Sequence, residues 1–319
     1  MKITLNELNF IVRETLSILK ENMEIEGGNA IASSEPIRGD VAGEVARQII
    51  DVLKKGLGIE CRPLGSTGKK RADQTSGDID IAVPMSWDDK NKLVLFIRQT
   101  YGKLEDFCNN AFKIYSIGFP YTDNIEHKIV QVDFMFGQNL DYSSFIHHSP
   151  DYTKNESEFK GAIRTELLRI LANLVPVNEK EYPSTYYDET DFGGLYKGEK
   201  ETWWRYSIDD ELGLIITHRT NRGKRKPLAR STRFPEDTKV ITSDINEILK
   251  IVLGPGATEQ DCNSFESMVD FLFSGKYRYA SPEQMENIMA KFMKNKAVNK
   301  DPEVKEKIRQ ILSGRMNYV

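Results

Sequence analysis

The sequence predicts an α/β (α+β) lobe with a small mixed sheet, followed by a mainly helical second lobe with a β insert. Helical and strand patterns alternate between about residue 40 and residue 136, whereas apolar residues recur at helical spacing after Asp151. Strand-like patterns return at about 180–240. The chain has 319 residues, enough for two such lobes. We expect an N-terminal helix and linker at 1–35, the first lobe at 36–150 and the second at 151–319.

The first lobe begins with a predicted helix whose apolar face runs from Val41 to Leu53 and which Gly56 closes. Pro84 stops the second of its predicted strands. The remaining elements follow the same patterns: strands at Ile59–Leu64, Asp78–Val83, Phe112–Ile117 and Lys128–Phe136, and a helix at Leu93–Tyr101.

The N-terminal residues predict an appended element. Residues 1–24 have the apolar spacing of an amphipathic helix, and Gly27–Glu35 is small and polar, which predicts a flexible linker. The helix either packs on the first lobe or docks on a partner.

The second lobe carries explicit helix signals. Asn155 and Glu158 resemble a capping box before a helix that Pro176 ends, and further helices start at Pro282 and Pro302. Strands are expected at Leu212–His218 and Thr238–Thr242.

Composition excludes several classes. Hydrophobic residues make up 39% and charged residues 29%, and no apolar stretch approaches the ~20 residues that cross a bilayer. The first residues lack the pattern of an export signal, and Cys61, Cys108 and Cys262 are too far apart to predict a disulfide framework or a zinc site. We therefore expect a cytoplasmic protein without a membrane partner.

A glycine-rich turn follows the first predicted strand. Gly65, Ser66, Thr67 and Gly68 precede three cations at Lys69, Lys70 and Arg71, a composition that suits triphosphate oxygens. It is not a Walker A loop, because Pro63 occupies the first glycine position. A purely structural polar turn is the alternative.

Three aspartates stand on predicted strands. Asp78 and Asp80 alternate with Ile79 and Ile81, so both carboxylates face one side of a strand. Asp133 interrupts the apolar segment Lys128–Phe136, an expensive position for a charge unless that strand lies beside the other two acids. Divalent cations would relieve the repulsion among the three carboxylates, and oxygen ligands suit Mg²⁺. Solvated aspartates on an exposed strand face are the alternative for the first pair.

The order of these features resembles the DNA polymerase β superfamily of nucleotidyltransferases. The shared pattern is Leu64-Gly65-Ser66, eleven residues, Asp78-Ile79-Asp80-Ile81, and later Val132-Asp133-Phe134. The resemblance covers about residues 40–140. It implies an NTP substrate and Mg²⁺ or Mn²⁺ held by the three aspartates, with Asp133 able to accept a proton. It also implies that Gly65 and Ser66 hold the β and γ phosphates, and that Lys69, Lys70 or Arg71 neutralises the departing pyrophosphate.

A basic segment suggests the acceptor. The formal net charge is −4, yet seven cations and no acid lie between His218 and Phe234: Arg219, Arg222, Lys224, Arg225, Lys226, Arg230 and Arg233. Eight aromatic residues lie just before it, from Tyr182 to Tyr206. Stacking rings and guanidinium groups suit single-stranded nucleic acid, whereas a solvated loop and core-filling rings are the alternatives.

These patterns predict transfer of a nucleoside monophosphate from an NTP to a nucleic-acid 3′ hydroxyl, with RNA favoured. A small-molecule or protein acceptor, or a nucleic-acid-binding protein without turnover, remains open. The adjacent pair His147-His148 is expected to be structural.

Overall fold

The computed structural model describes residues 30–67, 70, 72–110, 112–123, 126–147, 159, 161–186, 200–220, 232–277, 279, 282–299 and 301–316. The predicted helix at 1–24 and the capping-box pair Asn155 and Glu158 lie outside this part of the chain. The chain divides into two compact units, the first ending at Phe136 and the second beginning at Gly137. The described residues form a mixed α/β structure.

The described residues of the first unit form a five-stranded mixed sheet, a two-stranded sheet and two α-helices. Its elements in chain order are β1 (Ile37–Arg38), α1 (Gly39–Leu57), β2 (Arg62–Pro63), β3 (Thr75–Ser76), β4 (Asp78–Val83), a 3₁₀ turn (Trp87–Asp89), α2 (Lys90–Tyr101), β5 (Asp106–Asn109), β6 (Ile114–Asp123) and β7 (Glu126–Phe136).

The five-stranded sheet has the order β2-β4-β7-β6-β5. Strands β4 and β7 run parallel, and the other neighbours are antiparallel. Its apolar face carries Ile79 and Ile81 from β4 and Val132 and Phe134 from β7, all fully buried. These side chains pack with the apolar faces of α1 and α2 to form the core of this unit. The opposite face of β4 and β7 carries the polar side chains Asp78, Asp80, Gln131 and Asp133.

Several predicted elements shift at their ends. Helix α1 continues past Gly56 to Leu57 and is capped by Gly58, which adopts the left-handed conformation. The strand expected at Ile59–Leu64 is reduced to the edge strand β2, where Pro63 is tolerated. Strand β4 has the predicted bounds, while β5 was not predicted.

Residues 30–35, expected as the end of a flexible linker, are instead bound to the sheet. The Glu35 backbone N–H donates to the Ile129 carbonyl at 2.9 Å, and Ile31 is only 2% exposed. Small polar composition indicates a linker only when the backbone has no partner, and here the sheet supplies acceptors.

The second unit combines helices with a four-stranded antiparallel sheet in the order β11-β10-β9-β8. Its elements in chain order are α3 (Leu140–Ile146), α4 (Gly161–Ala172), β8 (Thr185–Tyr186), β9 (Lys200–Asp209), β10 (Gly213–Thr220), β11 (Thr232–Thr242), α5 (Ile245–Val252), a 3₁₀ turn (Glu259–Cys262), α6 (Phe265–Phe273), α7 (Pro282–Phe292), α8 (Lys296–Asn299) and α9 (Pro302–Met316).

The core of the second unit is formed mainly by its helices. Leu167 of α4, Leu249 of α5, Met268 of α6 and Phe292 of α7 are fully buried in one apolar cluster, which Leu214 of β10 joins from the sheet. The proline-initiated helices are confirmed as α7 and α9, and the predicted strand Leu212–His218 is confirmed as β10. Among the described helices, none combines the length and apolar character that crossing a membrane requires.

Candidate active site

The parallel pairing of β4 with β7 brings three carboxylates together. Asp80 lies directly opposite Asp133, and Asp78 lies opposite Gln131. Alternate residues of a strand share a face, so Asp78 and Asp80 project from the same side of the sheet as Asp133. Each of the three aspartates offers a ligand oxygen within 4.8 Å of the others. The predicted convergence of these three acids is therefore present in the structure.

The glycine-rich turn lies against the carboxylate of Asp80. Gly65 has a φ of +56°, and a Cβ atom placed there would lie 2.7 Å from Asp80 Oδ2. The Leu64 N–H donates to the Asp80 carbonyl at 2.9 Å. Only glycine adopts this conformation readily and leaves room for the carboxylate. The turn and the acids thus form one continuous surface.

Thr67 fixes the turn from inside. Its Oγ1 accepts a hydrogen bond from the Asp80 N–H at 3.0 Å, and the residue is 1% exposed. The Thr67 N–H closes the turn on the Leu64 carbonyl at 3.0 Å. Thr67 therefore holds the turn against β4 and does not face an open site.

Ser66 and Lys70 gather on the other side of the turn. Ser66 Oγ lies 3.1 Å from Ser76 Oγ, and Lys70 Nζ donates to the Thr75 carbonyl at 2.7 Å. The short pairing of β3 with β1 holds Thr75 and Ser76 in place. The structure thus brings Gly65 to Asp80 and brings Ser66 and Lys70 to β3, whereas Gly68, Lys69 and Arg71 lie outside the described residues.

Two polar side chains that were not predicted as site residues form hydrogen bonds to Asp133. Gln131 Nε2 donates to Asp133 Oδ1 at 2.9 Å and to Oδ2 at 3.1 Å. Ser116, which lies opposite Asp133 on the adjacent strand β6, also forms a side-chain hydrogen bond to this carboxylate. The available signal was a glutamine between Val130 and Val132, on the same strand face as Asp133.

Burial and mutual repulsion set the protonation of the acids. Burial raises the pKa of Asp133 to about 6, against the hydrogen bonds from Ser116 and Gln131 that lower it. Burial raises the pKa of Asp80 well above its usual range, and the charges of Asp78 and Asp133 raise it further. The charge of Lys70 acts in the opposite direction. Ionisation of all three acids therefore places mutually repelling charges side by side.

This donor set fits hard divalent cations. Three carboxylates with oxygens close enough to share ions, partly buried and mutually repelling, are the ligands that Mg²⁺ or Mn²⁺ prefers. A bound cation would offset the repulsion that raises the pKa of Asp80 and Asp133.

The predicted nucleic-acid residues belong to the second unit. Arg219 on β10 pairs in register with Arg233 on β11, at the described ends of these strands. The other five predicted cations lie outside the described residues: Arg222, Lys224, Arg225, Lys226 and Arg230.

Aromatic residues of the second unit contact one another. The Trp204 ring stacks on His218 with centroids 4.8 Å apart and lies 5.3 Å from the ring of Tyr182. Lys239 Nζ lies 4.9 Å from the Tyr182 ring centroid. Tyr187, Phe192 and Tyr196 lie outside the described residues. Tyr182 and Trp204 thus pack on each other and on polar neighbours, and neither ring belongs to the apolar core cluster of the second unit.

His147 and His127 each have a local environment that the structure describes. Burial lowers the pKa of His147, which ends α3, and His127 Nδ1 lies 3.2 Å from Thr122 Oγ1. His148 lies outside the described residues.

The known proteins that this chain resembles are solved structures. No family model matches the chain, and no curated protein matches it. Among solved structures it is similar to Leishmania infantum polymerase beta in a ternary P/T complex and in a ternary gap complex, each at 14% identity and a TM-score of 0.32. The similarity covers 53% of this chain and 67% and 59% of those chains, respectively. At this level it identifies neither the family nor the activity of this chain.

Proposed function

We propose that this protein is a nucleotidyltransferase dependent on Mg²⁺ or Mn²⁺, which moves a nucleoside monophosphate from an NTP to an acceptor hydroxyl. The observation that carries the proposal is the placement of Asp80 opposite Asp133, with Asp78 on the same face and Gly65 against the Asp80 carboxylate. Three carboxylates beside a turn able to approach phosphates suit phosphoryl chemistry. The order of these residues along the chain, Gly-Ser, Asp-x-Asp and a later Asp, supports the same reaction.

The proposed reaction is a substitution at the α phosphorus of the NTP. The acceptor oxygen forms a bond to the α phosphorus, the bond from that phosphorus to the bridging oxygen of the β phosphate breaks, and pyrophosphate leaves. The proton of the acceptor hydroxyl passes to a base, for which a carboxylate oxygen of Asp133 is the candidate. When bound, divalent cations would supply Lewis-acid stabilisation of the phosphate charge and a lower pKa for the acceptor hydroxyl.

The protein residues would divide the work of holding the substrate. Asp78 and Asp80 would hold both ions and Asp133 one of them. The Gly65 backbone and the Ser66 hydroxyl would bind the terminal phosphates, because a turn without a side chain at Gly65 lets the backbone approach closely. Lys70, with Lys69 and Arg71, would offset charge on the departing pyrophosphate.

The acceptor we favour is a polynucleotide, with an RNA 3′ hydroxyl first. Its support is the basic segment from Arg219 to Arg233, which contains no acid in a chain of net negative charge. Transfer to a small molecule or to a protein would leave this segment without a role in the reaction.

The test is incubation of the full chain with each α-labelled NTP, Mg²⁺ or Mn²⁺, and a mixture of RNA, DNA, protein and small hydroxyl compounds. We expect label on polynucleotide with the wild-type chain and none with Asp78→Asn or Asp133→Asn. Asp51→Asn, at an exposed position of α1, is the matched control and should behave as wild type. Label on another acceptor would contradict a polynucleotide acceptor. Turnover in both Asp78→Asn and Asp133→Asn would refute the role of the triad Asp78, Asp80 and Asp133.

A further inference from the structure

We propose that Gln131 is a positioning residue for Asp133, and that the backbone of residues 30 and 31 holds Gln131 in its working orientation. Residues 30 and 31, which precede β1 in the first unit, would then help to position a metal ligand. The consequence for turnover rests on the proposed function, whereas the consequence for metal binding does not.

The hydrogen bonds of the Gln131 side chain fix which way its amide faces. Nε2 donates to both oxygens of Asp133, and Oε1 accepts from the Ala30 N–H at 2.8 Å and the Ile31 N–H at 3.1 Å. A rotated amide would place its oxygen against a carboxylate and its donors against two N–H groups. All four contacts therefore favour one orientation. Gln131 is 1% exposed and therefore buried from bulk solvent.

The segment that supplies these N–H groups is itself anchored on both sides. Glu105 accepts from the Ala32 N–H at 3.0 Å through Oε1 and from Ser33 Oγ at 2.6 Å through Oε2. The Glu35 N–H bonds the Ile129 carbonyl of β7. Residues 30–35 are thus tied to β7 and to the chain just before β5.

A glycine on β6 makes room for this segment. Gly118 lies opposite Gln131 in the register of β6 and β7, and a Cβ atom there would be 3.0 Å from Ile31 Cγ2. Ile31 is 2% exposed at this place. The buried Ile31 side chain packs at Gly118, while the Ile31 N–H donates to Gln131 Oε1. An apolar contact and a hydrogen bond therefore both fix the position of residue 31 beside Gln131.

The relay runs from Ile31 through Gln131 to Asp133, whose oxygens face Asp78 and Asp80. Groups that orient a metal ligand typically affect metal affinity or activity by 10–100-fold when removed. The sequence of contacts therefore predicts that changes at residue 31, which touches no carboxylate, weaken metal binding.

The first test uses Mn²⁺ alone as the probe, titrated into the metal-free full chain by calorimetry. Gln131→Met keeps the length of the side chain but removes donor and acceptor, and should weaken Mn²⁺ binding about 10–100-fold. Gln48→Met, on the exposed side of α1, is the matched control and should bind as wild type. Mn²⁺ affinity of Gln131→Met within twofold of wild type would overturn the proposal.

A second variant keeps the test decisive if Gln131→Met does not fold. Ile31→Ala loosens the segment without touching the relay atoms and should weaken Mn²⁺ binding in the same direction, while Ile31→Val should remain near wild type. In turnover assays, kcat per folded molecule, with the folded fraction measured by circular dichroism, should fall more than KM for the NTP changes; a loss of fold alone would leave this corrected kcat at the wild-type value. Unchanged Mn²⁺ affinity in Ile31→Ala would refute the role of the segment.

Failure of the proposed function is distinguishable from failure of this inference. A wild-type chain that binds Mn²⁺ through the triad but transfers no nucleotide would end the proposed function, while weakened Mn²⁺ binding in Gln131→Met and Ile31→Ala would still support positioning.

Discussion

Asp80 and Asp133 lie opposite each other on adjacent parallel strands, and both have pKa values raised by burial and by neighbouring carboxylates. Ionisation of these acids at neutral pH therefore lowers the free energy of unfolding of the metal-free protein. Adjacent acids with raised pKa values are typical of metal and catalytic centres.

Replacing Asp133 by asparagine should stabilise the metal-free protein at neutral pH. Because the folded pKa is raised to about 6, the folded state binds more protons than the unfolded state between about pH 4 and pH 6, so stability falls as pH rises through that window. Asp133→Asn avoids this loss and should gain on the order of 2 kcal/mol at pH 7.5 in urea unfolding with a chelator present. The gain should shrink at pH 4. An equal effect at both pH values would contradict the assignment of the cost to ionisation.

Divalent cations should stabilise the wild-type protein and not the triad variants. A ligand that binds only the folded state at 100 times its Kd adds about 2.7 kcal/mol. Thermal unfolding with and without Mn²⁺ should therefore show a rise in Tm for the wild type and for Asp51→Asn. Asp80→Asn should lose most of that rise, and a rise of wild-type size in Asp80→Asn would place the cation elsewhere.

Gly65→Ala should reduce turnover far more than it reduces stability. The new methyl group would meet Asp80 Oδ2 at 2.7 Å, and a displacement of about 1 Å at a reacting centre can cost about 100-fold in rate. Gly58→Ala is the matched control, because Gly58 also has a positive φ but has open space around it. Both variants carry a similar backbone cost of about 1 kcal/mol. Similar kcat values for the two would show that the close approach to Asp80 is unimportant.

The three acids could be predicted because their signal is local. Alternation places Asp78 and Asp80 on one strand face, and an acid in the apolar strand around Asp133 requires a partner. Gln131 gave the weaker signal of a buried amide, and its partners Ala30 and Ile31 lie about 100 positions away. No local pattern specifies such a pairing.

The N-terminal segment shows the limit of composition. Residues 30–35 are small and polar, which predicts a linker. Whether this segment instead binds to the sheet depends on hydrogen-bond acceptors elsewhere in the fold. Glu105 and the Ile129 carbonyl provide them only after the strands have assembled. Helix α1 shows the same limit on a smaller scale, since Gly56 is a plausible stop and the left-handed residue is Gly58.

Arg164→Met should destabilise the second unit strongly. The buried guanidinium donates to the carbonyls of Phe145, Ile146 and Cys262, and it is 2% exposed. Removing it takes one donor from each of these carbonyls, of which Ile146 keeps the Thr165 hydroxyl at 2.8 Å. Each buried acceptor that loses its partner costs about 1–3 kcal/mol, partly offset by the lost cost of burying the charge. We expect a loss on the order of 3 kcal/mol in urea unfolding. Arg309→Met, at an exposed position of α9, should change stability by less than about 0.5 kcal/mol. A loss in Arg164→Met no larger than in this control would contradict the role given to the buried guanidinium.

The basic segment should bind single-stranded RNA with a steep dependence on salt. Each phosphate neutralised contributes about −0.7 to the slope of log affinity against log salt for single strands, so replacing Arg222, Lys224 and Arg225 together by alanine should reduce the slope by about 2. The control triple Arg47→Ala, Lys55→Ala and Lys103→Ala removes the same charge from exposed positions of the first unit. If charge alone governed binding, both triples would lose equal affinity. If the basic segment contacts phosphates, only the first changes the slope, while Mn²⁺ affinity at the triad stays at the wild-type value in both.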